Sequence, residues 1–286
     1  MDQRTVVITG ASGGIGLEAA VMLASAGDRV VIACRNEQKA QMAVVHIASR
    51  SGAADVESVA LDLASLSSVR ECAAGLGRRC ERIDVLVNNA GLIRSERDTT
   101  VDGFEMTFGV NHLGQFLLTG LVADQVKAAP SPRVINVASA AHWFAVGGLR
   151  FEDLQSVRFY NAWLAYGRSK LANILFTDEL ARRWKADGVC VSSAHPGTVR
   201  TGFGQDGDTK GITDGLLDVS RAFSTTPDRG ADTPVWLATA SAGVDLDRSG
   251  TFWANRKPGF RSPWARRRID AARLWSVSED LIASVR

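Results

Sequence analysis

A glycine-rich turn joins an apolar strand to an amphipathic helix close to the start of the chain. Residues 5–9 (TVVIT) predict a buried strand, GASGGIG follows at 10–16, and the apolar spacing at 15–26 predicts a helix that Gly27 closes. Glycines in such a turn let the backbone approach a phosphate, and the helix N-terminus presents free N–H groups to an anion. A tight turn alone would also explain the glycines. The strand, turn and helix in this order favour dinucleotide binding.

The alternation of strand and helix patterns continues along the whole chain. Apolar runs predict strands at 5–9, 29–33, 56–60, 83–87, 133–137, 189–194 and 250–254. Helices are predicted between them at 15–26, 38–51, 66–80, 101–128, 161–185 and 227–241. With 286 residues and 45% hydrophobic content, we expect a single α/β domain over residues 1–286. Its core would be one Rossmann-type doubly wound parallel sheet of about seven strands flanked by helices.

Composition narrows the classes of partner. Thirty-three basic and 31 acidic residues leave a net charge of +2, so we expect a small-molecule ligand and not nucleic acid. No run approaches the length of a membrane span, and a strand is predicted soon after Met1, so we expect a cytoplasmic protein without an anchor. The cysteines and histidines lack metal-ligand spacing, so no metal site is expected. The basic, Trp-containing segment 261–275 could lie on a membrane or nucleic acid, but its acidic neighbours favour a packed terminal helix.

Residues at the ends of the next predicted strands could bind the adenosine half of a dinucleotide. The second strand runs into Arg35 and Asn36, with no acidic residue before Glu37. An arginine here can hold a 2′-phosphate, which favours NADP, although an arginine on a surface turn is the competing interpretation. Asp62 and Leu63 follow the third strand, where a carboxylate could accept from an adenine amino group. Asn88-Asn89-Ala90-Gly91 follow the fourth, and they suit either a ligand crevice or a turn.

A tyrosine and a lysine four residues apart, Tyr166 and Lys170, share one face of a predicted helix. A phenol can exchange a proton near neutrality if an ammonium group stabilises its anion, so the pair suggests acid–base chemistry. The competing interpretation is a packing tyrosine beside a solvated cation. Ser139, at the end of the fifth strand, is expected in the same crevice. Asn111, within an apolar helix, must either brace backbone or hold a water.

In this order the motifs resemble the short-chain dehydrogenase/reductase family. They are TGxxxGxG from Thr9, NNAG from Asn88, a helical Asn111, Ser139, YxxxK from Tyr166 and PG at 196–197. More narrowly, ASAAH from Ala138, FEDL from Phe151, AYGRSKLAN from Ala165 and LWSVS from Leu274 resemble the branch of retinol dehydrogenases and WW-domain oxidoreductases. The chain departs from many retinol dehydrogenases in having Ala138 where a second serine is common and in its expected lack of an anchor. Because of these departures, the resemblance does not extend to a retinoid substrate or a membrane location. The implied chemistry is unaffected.

The resemblance implies an NADP(H)-dependent oxidoreductase. Tyr166 would exchange a proton with a substrate oxygen that Ser139 also binds, Lys170 would lower the Tyr166 pKa and hold the nicotinamide ribose, and Asn111 would anchor a water. The implied cofactor contacts are Gly10, Ser12, Gly14, Ile15 and Gly16 for pyrophosphate and ribose, Arg35 for the 2′-phosphate, Asp62 and Leu63 for adenine, Asn89 and Ala90 for the adenosine-side ribose, and Val199 and Thr201 for the carboxamide. Asn36, Gly91, Pro196 and Gly197 complete the cofactor-binding set.

The substrate is expected to be an apolar carbonyl or alcohol. Substrate contacts are predicted at 92–98, 140–160 and 202–226. The segment 202–226 is long and polar with interspersed apolar residues, so it is predicted to form a lid. The aromatic residues of 143–159 could line a pocket or merely pack a long loop. An idle NADP-sensing regulator is the alternative from another class, and a homo-oligomer is left open. A Rossmann methyltransferase is disfavoured by Arg35 and YxxxK.

Overall fold

One sheet crosses the molecule. The computed structural model describes residues 3–197, 226–240 and 248–285, and within these ranges the sheet has eight strands in the order β3-β2-β1-β4-β5-β6-β7-β8. The strands are β1 Thr5–Thr9, β2 Arg29–Cys34, β3 Val56–Ala60, β4 Val85–Asn88, β5 Arg133–Val137, β6 Cys190–His195, β7 Phe252–Ala254 and β8 Lys257–Pro258. Strands β1 to β7 pair in parallel, which confirms the predicted doubly wound sheet. The short β8 adds an antiparallel edge that the sequence did not predict.

Helices cover both faces of the sheet. They are α1 Gly14–Ser25, α2 Glu37–Ser51, α3 Leu66–Arg79, α4 Met106–Phe108, α5 Gly114–Leu121, α6 Ala123–Lys127, α7 Ala162–Arg183, α8 Pro227–Thr239 and α9 Arg268–Ala283. The apolar residues form two buried layers, one under α1, α2 and α8 and the other under α3, α5, α7 and α9. This two-sided burial explains the near-continuous apolar runs of the central strands.

The strand order reverses beside β1. β1 pairs with β2 on one side and with β4 on the other, so the chain winds outward in both directions from this point. In open α/β sheets a crevice forms at the carboxyl ends of the strands where the order reverses. The turns after β1 and β4 therefore lie side by side at one edge of the molecule.

The helix predicted at 101–128 is wrong as a single element. Regular helix begins only at Met106, because Glu105 caps it by accepting from the N–H groups of Thr107 (2.8 Å) and Phe108 (2.7 Å). A π-helical turn, Gly109–Leu113, then separates α4 from α5, and α6 follows as a separate short helix. Such π turns are often found at functional sites. The strand predicted at 83–87 also differs, since it begins two residues later, at Val85.

The C-terminal segment packs on the body of the protein, as predicted. The Trp275 ring of α9 lies 4.9 Å from the Phe116 ring and 6.0 Å from the Phe176 ring, centroid to centroid. The Arg183 guanidinium lies 4.2 Å from the centroid of the Trp275 ring. These contacts bury the aromatic face of α9 against α5 and α7. In the described part of the chain, no helix is long and apolar enough to cross a membrane.

Candidate active site

The turn after β1 packs directly on the turn after β4. Gly10 has φ +68°, and a Cβ there would lie 2.8 Å from the Ala90 Cβ, so only glycine fits. A Cβ on Gly16 would lie 2.6 Å from Asn89 Nδ2. The Thr9 hydroxyl accepts from the N–H groups of Asn89 and Ala90, each at 3.0 Å, and Asn89 Nδ2 donates to the Thr9 carbonyl at 2.9 Å. The glycine turn is thus held as one rigid unit with Asn88-Asn89-Ala90-Gly91.

The N-terminus of α1 is free to bind an anion. Its N-cap residue, Gly13, makes no side-chain cap, and the first turn carries no acidic residue. The first N–H groups of a helix have no intrahelical partners and lie at the positive end of its dipole. Gly14 has φ +58°, which places it in a conformation that favours glycine. The residues present therefore fit a dinucleotide phosphate.

The ends of β2 and β3 lie beside this turn. Arg35 is exposed and forms no ion pair with any other residue in the described ranges. The Asn36 side chain caps α2 by accepting from the Lys39 N–H at 2.8 Å. Asp62 Oδ1 accepts from the Ala64 N–H at 2.9 Å, which orients the carboxylate. Leu63 is buried, and its carbonyl would lie 2.6 Å from a Cβ on Gly114.

Ser139 and Tyr166 meet at the carboxyl end of β5. Their side chains are hydrogen-bonded to each other, and Ser139 Oγ also accepts from the Ala141 N–H at 3.1 Å. Tyr166 lies in the first turns of α7. The next residue, Gly167, has no side chain, so α7 can approach the Ala141 carbonyl, which would lie only 2.7 Å from a Cβ at this position. Close packing at Gly167 therefore brings the tyrosine to the serine.

Lys170 lies one helical turn beyond Tyr166 and is buried. Its Nζ donates to the Val137 carbonyl at 3.0 Å and lies 5.6 Å from the centroid of the Tyr166 ring. Burial lowers the pKa of Lys170 to about 8, so the ammonium form persists at neutral pH. The competing interpretation of Lys170 as a solvated cation is wrong.

Burial raises the pKa of Tyr166 to about 12, and the hydrogen bond from Ser139 offsets only part of this. Lys170 is not among the causes of this shift, and a lowering of the Tyr166 pKa by Lys170 stays a prediction. Burial places the pKa of Lys170 below that of Tyr166, so the lysine has lost its charge before the tyrosine ionises. Tyr166 is therefore protonated across the neutral range, which suits a proton donor.

Asn111 lies in the π turn, and its side chain braces backbone. Oδ1 accepts from the Leu92 N–H at 2.8 Å, while Nδ2 donates to the Leu92 carbonyl and to Ser169 Oγ, both at 2.9 Å. Of the two alternatives, the side chain takes the bracing role, and a water in a proton relay stays a prediction. A Cβ on Gly91 would lie 3.2 Å from Asn111 Oδ1 and 3.3 Å from Lys170 Nζ. The absence of a side chain at Gly91 thus lets the turn after β4, the π turn and α7 pack together.

Comparison with known proteins agrees with this geometry. A family model described as short chain dehydrogenase matches residues 4–151. Retinol dehydrogenase 13 of Homo sapiens is 41% identical over 283 residues, covering 98% of this chain and 84% of that protein. Retinol dehydrogenase 11 of Homo sapiens is 41% identical over 279 residues, covering 98% and 86%. The crystal structure of an uncharacterised protein from Mycobacterium paratuberculosis has a TM-score of 0.78 and 37% identity, covering 98% of this chain and 94% of that one.

The chain belongs to the short-chain dehydrogenase family. Within it, the protein is of the retinol dehydrogenase branch, as its motifs predicted. This short-chain dehydrogenase is an oxidoreductase that acts on CH–OH or C=O groups, and the family uses nicotinamide cofactors. The glycine turn and the free start of α1 are the features of this chain that fit such a cofactor.

Some predicted site residues of this short-chain dehydrogenase lie outside the described ranges. They are Val199, Thr201 and the predicted lid 202–226 apart from Thr226. Pro196 and Gly197 are described, and they follow β6 directly. The other predicted residues fall into two neighbouring groups at the carboxyl edge of the sheet, one around the glycine turn and the other around Ser139 and Tyr166.

Several residues that shape the site were not predicted as site residues. Thr9 holds the turn after β4, and Gln115 Nε2 donates to the Ala90 carbonyl. His195, just before Pro196, accepts from the Ala140 N–H at 3.3 Å through Nδ1. Only Thr9 carried a usable signal, because it opens the motif TGxxxGxG. The other contacts join positions far apart in the sequence.

The aromatic residues after Ser139 differ in their exposure. Phe144 is 51% exposed and Phe159 is 59% exposed. The Phe144 ring packs edge-on against Trp163 at 5.8 Å, and the Trp163 ring packs edge-on against Tyr166 at 6.5 Å. Phe151 instead packs on the core. A row of ring contacts thus runs from the exposed Phe144 through Trp163 to Tyr166, and the lining of a substrate pocket by these rings stays a prediction.

As pH falls from about 7 to about 5, we expect the free energy of unfolding to decrease less in His112→Leu than in the wild type. Burial lowers the pKa of His112 to about 3, whereas an unfolded histidine titrates near about 6.5. The unfolded state therefore takes up the proton first, so this stabilisation is present above about pH 6.5 and is lost as pH falls below it. Urea unfolding of both proteins at several pH values measures the slope.

The exposed His46 provides the control for this prediction. His46→Leu makes the same replacement at an exposed position, and its slope of unfolding free energy against pH is compared with that of His112→Leu. Equal slopes for wild type and His112→Leu would contradict the assignment. Acidic groups such as Asp178 also titrate in this range, and comparing variants with wild type removes their common contribution.

Proposed function

We propose that this protein is an NADP(H)-dependent reductase of an aldehyde or ketone on an apolar molecule, with Tyr166 as the proton donor. The observation that carries the proposal is the hydrogen-bonded pair Ser139–Tyr166 beside the buried Lys170, at the same sheet edge as the glycine turn. A donor pair at one point is suited to a carbonyl oxygen that gains negative charge during reduction.

The described contacts assign a task to each polar side chain. Tyr166 gives its proton to the carbonyl oxygen, and the raised pKa keeps that proton available at neutral pH. Ser139 Oγ accepts from the Ala141 N–H, and its single hydroxyl hydrogen, which bonds Tyr166 in the free protein, would be donated to the same substrate oxygen once the substrate is bound. Lys170 adds positive charge near the developing alkoxide. A bound nicotinamide supplies the hydride in this reaction.

The residues expected to contact the adenosine half of the cofactor support NADP over NAD. Arg35 is exposed at the end of β2, without an ion-pair partner among the described residues, so its guanidinium can bind a 2′-phosphate. Asn36 is occupied in capping α2, and no acidic residue precedes Glu37. An acidic residue is what the ribose hydroxyls of NAD would require here.

The apolar surface supports a hydrophobic substrate. Phe144 and Trp163 form a path of packed rings that ends at Tyr166, and Trp143 beside them is 45% exposed. A molecule with a long apolar body would bury these rings while its carbonyl reaches the donor pair. Two relatives are named retinol dehydrogenases, which is consistent with an apolar substrate here as well.

A panel of carbonyls tests this function. Propanal, nonanal, benzaldehyde and all-trans-retinal would each be mixed with NADPH or NADH, and loss of the reduced cofactor absorbance would be followed. We expect NADPH-dependent reduction with kcat/KM rising from propanal to nonanal. Tight NADPH binding without reduction of any carbonyl would overturn the proposal in favour of a cofactor sensor.

We expect Arg35→Asp to weaken NADPH binding by about 2 kcal/mol, because a charge-assisted contact is lost and a repulsion is added. NADH lacks the 2′-phosphate, so its affinity should change little. Titration of both cofactors against wild type and variant gives the four affinities. The exposed Arg158 provides a matched control. Arg158→Asp makes the same change of charge in the segment before α7, outside the residues expected to bind the cofactor. Equal affinity of the wild type for NADPH and NADH would refute the assignment.

The cytoplasmic location, a homo-oligomer and the lid at 202–226 stay predictions. Hydrogen exchange of the protein alone, with NADPH, and with NADPH and a substrate analogue would test the lid. Protection gained only with both ligands would support it, and complete protection without ligand would reject it.

A further inference from the structure

His142 connects the turn that carries Ser139 to a segment near the C-terminus. Its Nδ1 lies 2.7 Å from the Ser139 carbonyl oxygen, and its Nε2 lies 3.1 Å from the backbone nitrogen of Ser262. Both His142 and Ser262 are fully buried. The imidazole therefore bridges two backbone groups that are 123 residues apart in the chain.

The two partners determine which ring nitrogen of His142 carries the hydrogen. A carbonyl oxygen can only accept, so Nδ1 must donate to Ser139, and a backbone N–H can only donate, so Nε2 must accept from Ser262. A doubly protonated ring would place a hydrogen against the Ser262 N–H. Burial and the nearby Arg261 charge lower the pKa of His142, which agrees with a neutral ring.

The segment that His142 reaches is also attached to the helix that carries Tyr166. Arg261, next to Ser262, binds both oxygens of Asp178 at 2.7 and 2.8 Å, and Asp178 lies in α7. We call residues 261–262 the strap. One end of the strap is held by α7 and the other by His142. The strap therefore spans the two elements that bring Ser139 and Tyr166 together.

We propose that His142 is a positioning residue which, through the strap, sets the orientation of Ser139 relative to Tyr166. This inference rests on the proposed function, because it concerns the donor pair. The Ser139 carbonyl receives two bonds from His142, from Nδ1 at 2.7 Å and from the backbone N–H at 3.1 Å. Phe252 packs edge-on at 5.3 Å and prevents the imidazole from turning away. Both hydroxyls must point at the same substrate oxygen, so a small misplacement of the Ser139 hydroxyl relative to Tyr166 lowers turnover strongly.

Three variants separate this role from simple packing. His142→Phe keeps a ring of similar size and removes both nitrogens, and we expect kcat for nonanal to fall by about tenfold or more with KM for NADPH within about twofold. His142→Asn places an amide nitrogen near the position of Nδ1, so it should recover part of kcat. Ser278→Ala removes the partner of the buried His112, and it serves as a control that lowers Tm without lowering kcat.

Nitrogen NMR of the His142 ring tests the bridge without any substrate. We expect a protonated Nδ1 and an unprotonated Nε2, both in the free protein and with NADPH. An Nε2–H ring, a wild-type kcat in His142→Phe, or a rise in KM for NADPH as large as the fall in kcat would each overturn the proposal. Absence of turnover in the wild type would refute the proposed function, while the NMR result would still decide whether the bridge exists.

Discussion

Tyr166→Phe is expected to lower kcat for carbonyl reduction by at least about a hundredfold while the protein stays folded and binds NADPH. Loss of one general acid typically has an effect of this size. The fold should tolerate the change because the ring keeps its edge-on contact with Trp163 and Ser139 Oγ keeps the Ala141 N–H. Steady-state kinetics with nonanal, together with NADPH titration and Tm, measure the three quantities.

The chain offers a matched control for this change, because it contains two tyrosines. Tyr160 also has a pKa raised to about 12 by burial, and its hydroxyl donates to the Arg94 carbonyl at 2.8 Å. Tyr160→Phe should therefore lower Tm, because this hydrogen bond is lost, and it should change kcat far less than Tyr166→Phe does. If Tyr166→Phe kept near-normal turnover, the proton donor would have to be a different group.

Lys170→Met is expected to lower kcat by about a hundredfold and also to weaken NADPH binding. The Lys170 ammonium is the positive charge beside Tyr166, and its Nζ lies close to Gly91 in the turn after β4, so one substitution affects both halves of the site. The fold should survive because Asn173 Nδ2 also donates to the Val137 carbonyl, at 3.3 Å, and keeps it paired. Kinetics at several NADPH concentrations separate the two effects.

The pH dependence provides an independent measure of the Lys170 charge. Burial lowers the pKa of Lys170 to about 8, so the ammonium is lost as pH rises through this value, and kcat should fall there. The exposed Lys185 is the matched control, and Lys185→Met should leave kcat and its pH profile unchanged. A Lys170→Met variant that loses cofactor affinity but keeps kcat would restrict this residue to binding.

Much of the fold could be predicted because local patterns carry it. Buried parallel strands need apolar side chains on both faces, so β1, β2 and β5 appear as short apolar runs within a residue of their observed bounds. The glycine turn is also local, since positive φ at Gly10 and Gly14 requires glycine. The break of the long helix at the π turn was missed, because the apolar pattern continues through Gly109–Leu113.

From the sequence alone, the sheet topology class, the glycine turn and the pairing of Tyr166 with Lys170 could be inferred, since each follows from residue types at short spacings. Ser139 lies 27 residues before Tyr166, and its place in the same crevice was inferred from the end of a predicted strand and from the family resemblance. The protonation and the mutual orientation of these groups depend on the tertiary structure. The Tyr166 pKa is raised because packing removes water from its hydroxyl, and the Lys170 charge is directed to Val137 by the approach of α7 to β5. The bridge from Ser139 through His142 to Ser262 joins residues 123 positions apart, and no local pattern encodes such a contact.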